Sequence, residues 1–141
     1  MDKRFWICAA VVGIAALVLD FLIHGLLLQR DYAALAANGL VRGPDAGARY
    51  LPWMLLAHAA IGCGLTALYR AFHPAPTSDA RQGLRFGALM ALAATVPGYL
   101  IYYAVQPWPP LLVAKQMALS VLAMLLLGLL LAWLQPRRRV L

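Results

Sequence analysis

Glutamate is absent from this chain, and charged residues of every kind fill 12% of its 141 positions. Soluble domains average about 25%, so an ordinary water-exposed surface is excluded. Cysteine is nearly missing as well. Cys8 and Cys63 stand in different apolar runs with no CxxC spacing, so neither a disulfide nor a metal knuckle is expected, and both read as small buried side chains. The chain has no HExxH or HxxxH spacing and no phosphate-cradling glycine loop, and Ser120 and the cysteines lack a neighbouring base in sequence. An enzymatic role is therefore not favoured. Acidic residues are few, five against twelve basic ones, giving a net charge of +7. The basic residues cluster at the ends of apolar runs, which is how membrane topology signals look, so no nucleic-acid partner is expected.

What the chain has in quantity is apolar length. Hydrophobic residues make up 64% of it, and the mean hydropathy is +0.77. A membrane-crossing helix needs about 20 apolar residues. Four runs qualify, approximately Phe5–Leu28, Leu51–Tyr69, Phe86–Val105 and Leu111–Leu134. The expected fold is all-α, a single-domain integral membrane four-helix bundle over residues 1–141, with the lipid bilayer as its first partner. The first run is too long for a signal-peptide core of about 7–15 residues and is expected to remain as a span. Lys3, Arg4, Arg70, Arg81, Arg85, Arg137, Arg138 and Arg139 fall on one side of such a bundle, and Arg30, Arg42, Arg49 and Lys115 on the other. That imbalance predicts cytoplasmic N- and C-termini.

Between the first two runs, Asp31 is the expected N-cap of a short helix through Ala37, with Gly39 as its stop and Tyr32 and Leu35 resting in the interface. Residues Ala71 to Gln82, with His73, Pro74 and Pro76, read as a solvated linker. Gln106-Pro107-Trp108-Pro109-Pro110 forms a short, stiff turn clamping the third and fourth helices. Trp53 and Trp108 on one side, with Trp6 and Trp133 on the other, fit two interfacial belts.

The pattern that bears on function is the placement of polar residues inside the runs. Asp20 and His24, four apart among leucine, isoleucine and phenylalanine, share one helix face. An acid within lipid costs roughly 2.5–3.5 kcal/mol on insertion scales and therefore needs a partner or a purpose. Counting about 1.5 Å per residue from the outer boundary puts His58 at a depth similar to Asp20. Pro97, Tyr99, Tyr103, Lys115, Gln116 and Ser120 fall in the same outer half. These residues predict a polar pocket opening outward, formed by Asp20, His24, His58, Tyr99, Tyr103, Lys115 and Gln116. Lys115 can pair with Asp20 or snorkel to the surface. His24 and His58 are candidate ligands for haem or a transition metal, and a carboxylate orienting an imidazole also suits proton transfer. Pro97 removes a helix hydrogen bond and frees the Ala93 carbonyl.

Small residues mark expected helix contacts: Gly83, Gly87, Ala91 and Thr95 along the third run, Gly62 and Thr66 in the second, and Gly13 in the first. The stretches Asp20-Phe21-Leu22-Ile23-His24-Gly25-Leu26-Leu27-Leu28, Gly83-Leu84-Arg85-Phe86-Gly87 and Tyr103-Ala104-Val105-Gln106-Pro107 resemble a group of small four-helix bacterial inner-membrane proteins of unknown function. The resemblance implies a bacterial inner membrane and one four-helix domain, and it brings no activity, cofactor or catalytic residue. Two functions follow as expectations. One is a non-enzymatic accessory subunit that packs by its glycine-rich faces against a larger membrane complex or another copy of itself. The other is a small-ligand, metal or haem, or proton-handling membrane protein using Asp20, His24 and His58.

Overall fold

The computed structural model describes residues 2–43, 46–72 and 79–135. The His73–Ser78 part of the linker and Arg137, Arg138 and Arg139 lie outside them. Six α-helices follow in chain order: α1 (Lys3–Asp20), α2 (Gln29–Ala37), α3 (Gly47–Phe72), α4 (Ala80–Met90), α5 (Val96–Val105) and α6 (Pro110–Leu134). Two wider π-type turns, Phe21–Leu27 and Ala91–Thr95, continue α1 and join α4 to α5. The result is four helices long and apolar enough to cross a membrane: Lys3–Leu27, Gly47–Ala71, Ala80–Val105 and Pro110–Leu134, called here the first to fourth spans. Among the described residues there is no strand.

The second and third spans start before the apolar runs do. Asp79 caps α4 by accepting the Gln82 backbone N–H at 2.8 Å, so the helix gains a polar first turn that hydropathy does not mark. Asp2 caps α1 in the same way through the Phe5 N–H, also at 2.8 Å. The short helix α2 begins two residues before Asp31, which sits in its first turn and does not cap it. Its end is as expected. Gly39 takes a φ of +69°, and the Gly39 and Leu40 N–H groups close on the Ala36 and Leu35 carbonyls at 3.0 and 2.9 Å. That is a Schellman stop, which glycine adopts without a Cβ clash.

The third span widens just ahead of Pro97. A proline ring clashes with the carbonyl four residues back, and a regular helix would also strand that carbonyl. Here the Val96 N–H reaches five residues back to Ala91, and Pro97 opens the renewed helix in its first turn, where it is tolerated. In the first span the Leu28 N–H likewise bonds five residues back to Ile23 at 2.9 Å, after which the chain folds over into α2.

Helix contacts are made through glycine. A Cβ on Gly13 would stand 2.9 Å from the His58 carbonyl oxygen, and one on Gly62 would run into the Ala9 carbonyl, so the first and second spans pack backbone to backbone. Gly83 and Gly87 do the same against Gly128 and Met124, joining the third span to the fourth. Such close approach is what holds helices together where the solvent is as apolar as the side chains. The first span also packs on the fourth and links the two pairs. Two buried clusters result. Val12, Ala16, Leu65, Tyr69, Phe86, Leu127, Leu131 and Ala132 fill the end near the chain termini, where Arg4 donates to the Leu134 carbonyl at 3.3 Å. Ile23, Leu28, Leu35 and Leu112 fill the other end, beneath α2.

Candidate functional site

Between these clusters lies a cavity of about 720 Å³ to which all four spans contribute. Its lining is mostly apolar, with Asp20, Tyr32, His58, Tyr99, Gln116 and Ser120 among the few polar members. The lining residues exposed at its rim are Ile61, Gly64 and Leu68 of the second span and Ala94 and Tyr102 of the third. The cavity therefore opens sideways between these two spans. It does not open at the α2 end, because α2 brings Tyr32 over it and the proline turn brings Trp108, whose ring stacks on Tyr102 at a centroid distance of 6.4 Å.

Asp20 is the centre of the polar group. One carboxylate oxygen is 3.3 Å from His24 Nε2, and the other is 3.8 Å from His58 Nε2, an ion-pair distance longer than a hydrogen bond. The first contact follows from the i,i+4 spacing. The second requires the close approach of the first and second spans, since Gly13 lies against the His58 backbone itself.

The protons on these rings can be assigned from their partners. His58 Nδ1 lies 2.7 Å from the Met54 carbonyl, which only accepts, so Nδ1 carries hydrogen. A neutral His58 would then turn the lone pair of Nε2 toward a carboxylate. A proton on either His58 Nε2 or Asp20 would make this contact favourable. His24 is fixed from the other direction. Its Nε2 faces Asp20 at 3.3 Å, and a proton there leaves Nδ1 as an acceptor for the Tyr32 hydroxyl at 2.9 Å. Burial pushes the Tyr32 hydroxyl up to about 12, so it keeps the proton it donates. Having given its hydrogen to His24, Tyr32 accepts from the Gln116 amide N–H. The carbonyl oxygen Oε1 of Gln116 is left without a partner in a side chain only 1% exposed. Tyr99 stands 2.9 Å from Ser120 Oγ and 3.5 Å from His24 Nε2, closing the cluster on the side of the third and fourth spans.

Of the residues expected in the pocket, Asp20, His24, His58, Tyr99 and Gln116 come together, though His24 touches the cluster without lining the cavity. Tyr103 and Lys115 do not join them. Tyr103 is exposed on the third span, while the neighbouring Tyr99 and Tyr102 line the cavity. Lys115 reaches outward to Asp31 of α2 at 3.1 Å, so Asp20 faces imidazoles and no ammonium. Tyr32, expected at the interface, turns inward, and no sequence signal gave the reversal after Leu28 that brings it back over His24. Leu35 is likewise buried. The glycines Gly62, Gly83 and Gly87 and the buried Ala91 take up helix-packing positions within the chain. Among the described residues no group of three His, Cys, Asp or Glu side chains is arranged to hold a metal ion. Both Nδ1 atoms of His24 and His58 are engaged elsewhere. Cys8 and Cys63 are free thiols.

No family model, curated protein or solved structure matches this chain.

Proposed function

We infer that this chain is a membrane-embedded ligand-binding protein in which Asp20, His24 and His58 hold a proton beside the bound molecule. One observation carries the reading: a carboxylate between two imidazoles, with Asp20 and His58 at the wall of a mostly apolar cavity. An acid kept only for packing is answered by one partner, whereas the half-exposed Asp20 has an imidazole on each side, and a proton on either group would favour the second contact. The side opening suits a molecule that arrives through lipid, since its rim is apolar apart from the Tyr102 hydroxyl.

The same reading has the four spans form a bundle in a bacterial inner membrane. The imbalance of basic residues supports cytoplasmic termini, which sets the Asp20 cluster toward the opposite leaflet. An accessory subunit docking through glycine faces has less support, because Gly13, Gly62, Gly83, Gly87 and Gly128 are already filled by contacts within the chain.

The test uses the purified full-length chain in lipid nanodiscs, with nitrogen resonances of the histidine rings followed against pH. In the wild type the His58 Nδ1 signal is expected to stay protonated throughout, and Asp20→Asn is expected to change the pH response of both His24 and His58. Identical titrations in the wild type and the variant would show that no proton is shared, and the reading would be lost.

A further inference from the structure

We propose that the cavity takes a hydroxyl-bearing aromatic amphiphile of the quinol class from the surrounding lipid. The proposal rests on the reading of the cavity as a ligand site and names the chemistry of its occupant.

Four observations lead to it. The first is Gln116. Its unpartnered Oε1 is an acceptor in a side chain that lines the cavity, and its orientation is fixed through Tyr32 and His24 back to the Asp20 carboxylate. A buried acceptor left open costs about 1–3 kcal/mol, and a ligand hydroxyl would satisfy it. The second is charge. No lysine or arginine among the described residues lines the cavity, while Asp20 does. A phosphate or carboxylate headgroup would therefore meet a carboxylate and no fixed cation, whereas a neutral hydroxyl would be accepted.

The third is shape at the polar end. Tyr99, Tyr102 and Trp108 supply flat walls there, which suit an aromatic ring better than a branched polar head. The fourth is room. A Cβ on Gly64 or Gly98 would meet nothing within 4 Å, unlike one on Gly13, Gly62, Gly83, Gly87 or Gly128. Gly64 and Gly98 both line the cavity, on the two spans that flank its opening. They serve no helix contact and instead leave space where a ligand would pass. The volume of about 720 Å³ lies within the range of small-molecule sites, with the tail free to leave through the side opening.

The experiment titrates the full-length chain, in phosphatidylcholine nanodiscs, with a decyl-substituted benzoquinol held reduced and with the matching benzoquinone. Tryptophan fluorescence is the readout, with empty nanodiscs as blank. Saturable binding is expected, about tenfold tighter for the quinol, since only the quinol can donate to Gln116 Oε1. Gln116→Leu should weaken quinol binding about tenfold and erase the preference. Gly98→Leu should block both ligands while leaving the thermal unfolding midpoint unchanged. Three results overturn the proposal: no saturation above the blank, equal affinity for quinol and quinone, or full binding by a folded Gly98→Leu protein. The histidine titrations are made without ligand, so a failed quinol titration leaves the proton-sharing reading standing, and a failed histidine titration leaves the binding result intact.

Discussion

Tyr32 does two jobs with a single hydroxyl. It gives its hydrogen to His24 and takes one from Gln116, so one oxygen sets the tautomer of an imidazole and the orientation of an amide. Tyr32→Phe should leave the Gln116 amide unsatisfied and cost about 1–3 kcal/mol in a denaturant titration. It should also let the His24 proton redistribute between the ring nitrogens, visible in the same nitrogen spectra. At the far end of the molecule, Asp2 accepts from Arg70 at 2.9 Å, and that bond holds its carboxyl below the ordinary value of 3.8. A lowered carboxyl stabilises the fold fully above its ordinary value and loses the contribution as pH falls through the lowered one. Arg70→Gln should therefore lower the midpoint slightly at pH 5 and flatten its fall toward pH 2, by a small margin because Asp2 is exposed. Unfolding midpoints measured between pH 5 and pH 2 check this on the scale of one carboxylate. Of the residues in the candidate site, Asp20, His24 and His58 were legible in the sequence because depth along a helix can be counted. Tyr103 and Lys115 lie at the same depth but face away from the cluster, because depth carries no information about which way a side chain points around the helix.

Glycine has two uses among these helices, and substitution should separate them. On Gly128 a side chain would collide with the Gly83 and Gly87 backbones, so Gly128→Leu must part the third and fourth spans. Overpacking of this kind costs about 1–3 kcal/mol and should show as a lower midpoint in thermal unfolding. The cavity glycines carry no such penalty. The small-residue spacing singled out Gly13, Gly62, Gly83 and Gly87 as contact positions but not Gly128, which only the positions of the neighbouring backbones show to be pressed. The π-type turn before Pro97 was legible only in part. A proline inside an apolar run announces a disturbed hydrogen bond, but whether the helix kinks or takes in an extra residue depends on what packs beside it. The widening ahead of Pro97 lets the helix resume with Tyr99 turned to Ser120.

As a whole, the molecule is two glycine-packed helix pairs joined where the first span meets the fourth, with a gap between the second and third spans. The number of spans was legible, since length and apolarity decide it. The pairing was legible in part: the short proline turn set the third span against the fourth, but the longer connections left open which span the first would meet. Cytoplasmic termini predict a labelling pattern. With Cys8 and Cys63 replaced by alanine, Arg30→Cys should react with a membrane-impermeant maleimide added to intact cells, and Arg81→Cys only after the cells are opened. The reverse pattern would turn the molecule over in the membrane and set the Asp20 cluster toward the cytoplasm.

The gap between the second and third spans changes what strength of binding would be useful. A guest that slips in from among acyl chains never crosses the headgroup plane or sheds its tail into water. Its abundance is then counted per lipid and not per litre, and two-dimensional diffusion delivers it. Under such supply a shallow affinity keeps the site filled while the guest can still leave quickly, which suits traffic through the site better than storage in it.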